Sequence, residues 1–145
     1  MTNIILEAEL FAQLAHKGQK DDTGKDYFEA HIKQVATIVK QITSDEIMIA
    51  TAYLHDVIED TPVTPIELSQ KFGPEITSLV LELTHEGKKD NAGYYFPRLK
   101  TRRAILIKFA DRLSNLSRME AWNEKRKKQY IKKSKFWASE PNKIV

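Results

Sequence analysis

The sequence has 145 residues, a formal net charge of +3 and no cysteine. That length suits one domain able to bury roughly 70% of the surface its unfolded chain exposes, so no disulfide staple is needed. The absence of cysteine excludes thiol nucleophiles and thiolate zinc sites and fits a reducing compartment. Acidic residues arrive early at the N-terminus with no basic region before them, which argues against a signal peptide. No apolar run approaches the ~18 residues of a membrane span, so a soluble, cytoplasmic protein with no membrane partner is expected.

The predicted elements are all helices. Residues 3–17 place Ile4, Ala8, Phe11 and Ala15 on one stripe, and that helix is expected to stop at Gly18 with His16 and Lys17 in its last turn. Asp21-Asp22-Thr23-Gly24 reads as a turn. Residues 29–42 repeat the helical pattern through Ile32, Val35, Ala36 and Val39. Ser44 is the expected cap of the next helix, with Asp45 and Glu46 in its first turn. From Ile47 to Leu54 that helix is apolar nearly all round, which predicts a central, buried position. Thr64-Pro65-Ile66-Glu67 forms a capping box with proline at the first helical position. The short helix it opens ends near Gly73, and the following one buries Ile76, Leu79, Val80 and Leu83. Residues 85–94, with Gly87 and Gly93, read as a mobile loop. A helix is expected over about 101–120 and a last one over about 123–137. No segment alternates with period two, and no repeat or linker divides residues 1–145. The expected fold is all-α, a compact single-domain helical bundle. The last helix carries Lys125, Arg126, Lys127, Lys128, Lys132, Lys133 and Lys135. Such a run attracts polyanions or simply forms a solvated face. No zinc-finger or aromatic RNA-binding signature accompanies it, so nucleic acid is not the expected partner.

Three places put polar groups where a core is expected. His31 shares a stripe with Val35, Ile38 and Ile42 and so faces inward, either as a hydrogen-bonded core histidine or as a ligand. His55-Asp56-Val57-Ile58-Glu59-Asp60 ends the most buried helix. Ionised carboxylates rarely stay buried unless paired or bound to metal, although Glu59 and Asp60 also suit a helix end reaching solvent before Thr61-Pro62. On the helix beginning near 101, an advance of 100° per residue collects Lys108, Asp111, Asn115 and Arg118 in a sector under ~90° wide. That stripe is either a solvated face or a site. Together, His31, His55, Asp56 and Asp111 offer two imidazoles and two carboxylates, a set that suits Mn²⁺, Fe²⁺ or Zn²⁺ better than Ca²⁺.

The adjacent His55-Asp56, with His31 upstream and Asp111 downstream, resembles the HD superfamily of metal-dependent phosphohydrolases. Ala15-His16-Lys17-Gly18-Gln19, Leu54-His55-Asp56-Val57-Ile58-Glu59-Asp60-Thr61 and Lys108-Phe109-Ala110-Asp111-Arg112-Leu113-Ser114-Asn115-Leu116 resemble the hydrolase domain of RelA/SpoT-type enzymes over about residues 8–120. Those enzymes, and the small alarmone hydrolases related to them, remove the 3′-pyrophosphate of the alarmone (p)ppGpp. The resemblance implies that His31, His55, Asp56 and Asp111 ligate one Mn²⁺, with Zn²⁺ or Fe²⁺ as other candidates. It implies that Glu59 and Asp60 position and deprotonate the attacking water, and that Asn115 contacts substrate. Lys108 and Arg118, on the same stripe as Asp111, are expected at the phosphates.

The chain also departs from that pattern. Asp21-Asp22 stand where the family usually carries a basic pair that packs on guanine. Ile32 replaces the usual proline after the first ligand histidine, and Arg118 a common threonine. The Tyr27-to-His31 segment is one residue longer than the common form. No synthetase segment follows, so alarmone synthesis by that route is not expected. The expected function is metal-dependent hydrolysis of (p)ppGpp or a related small nucleotide, with base preference relaxed by Asp21 and Asp22, in a monomer or small homo-oligomer. The alternatives are a general HD-type nucleotide phosphatase or phosphodiesterase, and a module that senses nucleotides without turnover.

Overall fold

The structure, a computed structural model, describes residues 3–84 and 99–135. Within them the chain is helical and forms no strand, only an isolated bridge between Lys20 and Asp26. The order is α1 (Ile4–Ala15), a π-helical turn (Phe28–Ile32) running into α2 (Lys33–Ile42), α3 (Glu46–Leu54), α4 (Val57–Asp60), α5 (Pro65–Phe72), α6 (Pro74–Leu83), α7 (Arg102–Leu116) and α8 (Glu124–Ser134). The segment 85–94, read as a mobile loop, lies outside the described residues, as do the last positions of the final predicted helix. None of the described helices is long and apolar enough to cross a membrane.

Local chemistry sets the helix ends. Asn3 caps α1 by accepting from the Ile5 and Leu6 amides. Thr64 caps α5 through the Glu67 amide, with Pro65 following as the first helical residue. Gly73, at φ +87° and ψ 170°, joins α5 to α6 in a conformation that side chains with a Cβ avoid. The cap of α3 is Asp45 rather than Ser44: its carboxylate accepts from the Ile47 and Met48 amides. A carboxylate there answers both the free amides and the positive end of the helix. Helix α7 stops at Leu116, four residues short of the expected end.

Helix α3 is the centre of the bundle. It packs against α1, α2, α6 and α7, and every residue from Met48 to Leu54 is buried. Each large apolar side chain buried there contributes roughly 1.5–3 kcal/mol. The polar groups on α3 are satisfied, Thr51 by the Ile47 carbonyl and Tyr53 by Lys40. Val35, Ala36 and Val39 of α2 and Ile76, Leu79, Val80 and Leu83 of α6 bury as their periodicity predicts. Ile42, expected on the His31 stripe, is 56% exposed because the last turn of α2 runs beyond the core.

Candidate metal centre

His55 caps the C-terminus of α3, and Asp56 follows with φ −104° and ψ 0°. That bridge-region conformation interrupts the helix and lets α4 start at Val57. His31 reaches the same point from the π-helical turn, and Asp111 from α7. One donor atom from each of these four residues lies within 4.8 Å of every other. The His31 Nε2 is 3.0 Å from Asp111 Oδ1 and 3.5 Å from Asp56 Oδ2. The His55 Nε2 is 3.3 Å and 3.2 Å from the same two oxygens. Such edges match those around an ion bonded to nitrogen and oxygen at ~2.1 Å.

The far nitrogen of each imidazole is already engaged. His55 Nδ1 donates to the Ala52 carbonyl oxygen at 2.6 Å. His31 Nδ1 lies 2.9 Å from the Ser114 hydroxyl oxygen. That hydroxyl spends its own proton on Gln34 Oε1 at 2.7 Å, so it accepts from His31. Both Nε2 atoms are therefore left to face the carboxylates. This is the outer support that metal-ligating histidines carry, and the donor set fits a divalent ion. Burial pushes both imidazoles down, but the Asp56 and Asp111 carboxylates more than reverse this and raise them. Burial pushes those carboxylates up, and the imidazoles, with Lys108 beside Asp111, hold them well below the usual carboxylate range.

Tyr27 completes the inner support by donating to Asp56 Oδ2 at 2.7 Å. The π-helical turn explains how it does so. The Lys33 amide reaches the Phe28 carbonyl, five residues back, and Asp26 caps the segment through the Glu29 amide. The wider turn lets Tyr27 and His31 both stay on the cluster. The rings of His16, Tyr27, His31 and His55 form a continuous column, with successive centroids 5.5, 5.2 and 5.4 Å apart.

The polar stripe of α7 faces inward. Lys108, Asp111 and Ser114 are buried, whereas Phe109 and Leu113 are 40% and 55% exposed. Lys108 Nζ lies 3.6 Å from Asp111 Oδ2, and burial pulls its ammonium below the ordinary lysine range. Glu59 and Asp60 are exposed at the end of α4. Asp60 turns toward a cavity of roughly 340 Å³ lined also by Gln19, Tyr27, Asn115, Arg118 and Trp122. Partial enclosure and the Asp56 carboxylate push the Asp60 carboxyl up, an effect reduced by its contact with solvent. Asn115 donates to the Tyr130 hydroxyl oxygen at 2.7 Å and accepts from Arg118 at 2.6 Å. The exposed lysines of α8, including Lys125 and Lys128, form a solvated face.

Asp21 does not offer the free carboxylate that its sequence position suggests. Its Oδ1 accepts from the Thr23 amide and hydroxyl and from the Lys25 amide, and its Oδ2 pairs with Arg118 at 3.1 Å. Burial pushes Asp21 up, and these partners bring it down to about 2. Asp22 likewise pairs with Arg126 at 2.5 Å and accepts from the Trp122 indole at 3.0 Å. Since the folded pKa of Asp21 lies below its unfolded value, the interaction stabilises the fold above about pH 4 and is lost as pH falls through about 2. Asp21→Asn keeps the turn acceptor but removes the charge. It is expected to cost about 1–2 kcal/mol at pH 7, discounted for the exposed loop around it. Urea midpoints should show the gap between the two proteins narrowing toward pH 3; a gap constant with pH would show that the charge is not what matters.

Residues 8–92 match the family described as HD domain. The chain belongs to the HD-domain family. This HD-domain chain is 36% identical over 132 residues to a GTP pyrophosphokinase rsh of Brucella melitensis biotype 1, covering 83% of the chain and 18% of that protein. It is 32% identical over 143 residues to a probable guanosine-3′,5′-bis(diphosphate) 3′-pyrophosphohydrolase of Synechocystis, covering 91% of the chain and 19% of the relative. A solved structure of a metazoan ortholog of SpoT, described as hydrolysing ppGpp and acting in starvation responses, matches with a TM-score of 0.73 at 28% identity. That match covers 94% of the HD-domain chain and 84% of the other. The chain spans about a fifth of the length of the curated relatives it matches. Asp111, which closes the cluster, lies beyond the residues of the family match.

Proposed function

We propose that this HD-domain chain hydrolyses the 3′-pyrophosphate of guanosine tetra- and pentaphosphate, or of a closely related nucleotide, with Mn²⁺ as its metal. The observation that carries the reading is the buried two-imidazole, two-carboxylate cluster beside an open cavity. The relatives named for the same hydrolysis support it. His31, His55, Asp56 and Asp111 would hold the ion. When bound, a divalent ion polarises a phosphoryl oxygen and makes water more acidic. Asp60, at the cavity wall, accepts the proton of the attacking water as a new oxygen–phosphorus bond forms. The bond from phosphorus to the nucleoside 3′-oxygen breaks, that oxygen departs with the electron pair and takes up the proton held by Asp60, and the products are pyrophosphate and the nucleotide with a free 3′-hydroxyl. Glu59 supports the same water. Asn115 and Arg118 meet the nucleotide from the cavity, and Lys108 adds positive potential behind Asp111.

Base preference is expected to be relaxed. No cation stands on the 21–22 positions, and a carboxylate cannot make a cation–π contact with a purine. Arg118 is engaged by Asp21 and Asn115, and the Arg126 guanidinium already lies 3.9 Å over the Trp122 ring. A chelator-dialysed sample, resupplied with single metals and offered 3′-pyrophosphorylated guanine and adenine nucleotides, tests the reading. Turnover should return best with Mn²⁺, release pyrophosphate, and differ between the bases by no more than about tenfold, or ~1.4 kcal/mol. Orthophosphate release would instead indicate a general phosphatase, no turnover a sensing module, and full activity without metal would refute the cluster's role.

A further inference from the structure

His16 is a buried titratable residue that the reaction as described does not use. It is 1% exposed at the end of α1, and its Nε2 is enclosed with no hydrogen-bond partner. Among the described residues, the one polar contact of its ring is Nδ1 to Gln19 Oε1 at 2.8 Å. Because the amide oxygen can only accept, His16 Nδ1 carries the proton. Two contacts together set which way the Gln19 amide points, the His16 ring at its oxygen and the Asp60 carboxylate at its NH₂. With its oxygen held by His16, its NH₂ is turned toward Asp60 Oδ2, 3.5 Å away. A flipped amide would set oxygen against carboxylate. The Gln19 backbone is pinned on both sides, its amide by the His16 carbonyl at 2.9 Å and its carbonyl by the Tyr27 amide at 2.9 Å. The side chain therefore has a fixed origin and one imposed orientation.

We propose that His16 and Gln19 are positioning residues for the water-activating carboxylate: His16 orients the Gln19 amide, and Gln19 holds one oxygen of Asp60 so that the other is presented to the cavity. The inference rests on the reading of Asp60 as the base. Among the described residues, neither side chain is hydrogen-bonded to the four cluster residues. A buried imidazole used for packing alone would give no preference between His16→Asn and His16→Leu. Asparagine places an N–H donor close to where Nδ1 stands, and leucine does not.

The test uses the full chain in two arms. In the metal-free protein, the side-chain NH₂ signals of Gln19 are followed by ¹⁵N NMR. They should shift in Asp60→Asn and in His16→Leu, and stay near their original positions in His16→Asn. In the Mn²⁺-supplemented protein with ppGpp, His16→Leu and Gln19→Met should lower kcat roughly 10–100-fold with KM and metal content unchanged. His16→Asn should recover kcat to within about threefold of the parent, and in the Asp60→Asn background His16→Leu should have no further effect. Should His16→Leu fail to fold, Gln19→Met, at a half-buried site, carries the kinetic arm, and Asp60→Asn with His16→Asn carries the NMR arm. Gln19 signals indifferent to His16 and Asp60 would overturn the relay itself. Unchanged kcat in Gln19→Met, where Asp60→Asn is slow, would overturn its role in positioning. If Asp60→Asn turns over normally while the NMR linkage stands, the assignment of the base is what fails, and the positioning role falls with it.

Discussion

Asp111→Ala is expected to leave the protein unable to retain a divalent ion and to lower kcat/KM by more than ~100-fold, the upper end of what losing a mere support residue costs. One oxygen of Asp111 sits 3.0 Å from His31 Nε2 and 3.3 Å from His55 Nε2, and the other lies 3.6 Å from Lys108 Nζ. Its removal takes away one donor of four and a counter-charge 3.6 Å from a buried lysine. A buried pair broken on one side costs about 3–5 kcal/mol, so the variant should also melt earlier than the parent even in chelator. Elemental analysis of the purified variant, with urea midpoints in chelator and in Mn²⁺, checks both parts. The parent should gain stability from the metal and the variant should not. A variant that keeps stoichiometric metal and full turnover would remove Asp111 from the site.

Glu59→Gln and Asp60→Asn are expected to do the opposite: keep the metal and lose the chemistry. Both changes preserve size and remove a base, and the rate should fall by ~10²-fold or more with metal content intact. The two need not be equal. Asp60 lines the cavity, whereas the charge of Glu59 acts on Lys108 and Lys133 on α7 and α8. Asp60→Asn should therefore be the more damaging change to kcat. Loss of metal in either variant would make that residue a support for the ligands, and unchanged rates in both would reduce the pair to a solvated helix end.

Much of this was legible from the sequence because it depends on local rules. The all-round apolar stretch of α3 forecast its central position, and proline after Thr64 forecast the start of α5. Periodicity also found the Lys108–Asp111–Asn115–Arg118 stripe, whose last member lies past the end of α7, but it could not tell inside from outside. The usual rule sends charge to solvent, and here pairing of Lys108 and Asp111 around the cluster reverses it. Tyr27 and Ser114 escaped notice because their roles depend on contacts with Asp56 and His31 across the bundle, though Ser114 lies three residues after Asp111 and shares its inward face. The partners of Asp21 and Asp22 were hidden for the same reason. Arg118 is 97 residues from Asp21, and Arg126 is 104 from Asp22. No local pattern connects them, so two carboxylates that read as a reversed charge turn out to be half of a balanced pair of ion pairs.

The wide turn ahead of α2 has a consequence for how such chains are compared. The turn lies between an Asp26 cap and an α2 that continues normally, so a residue gained or lost within it would leave both neighbours in place. A gap-free pairing with a shorter relative, anchored at Tyr27, would shift every later position by one and match His31 to the residue after the relative's histidine. An anchor at His31 would misplace Tyr27 instead. Both residues are aligned correctly only when the gap falls between them, inside the helix, where alignment practice is most reluctant to open one.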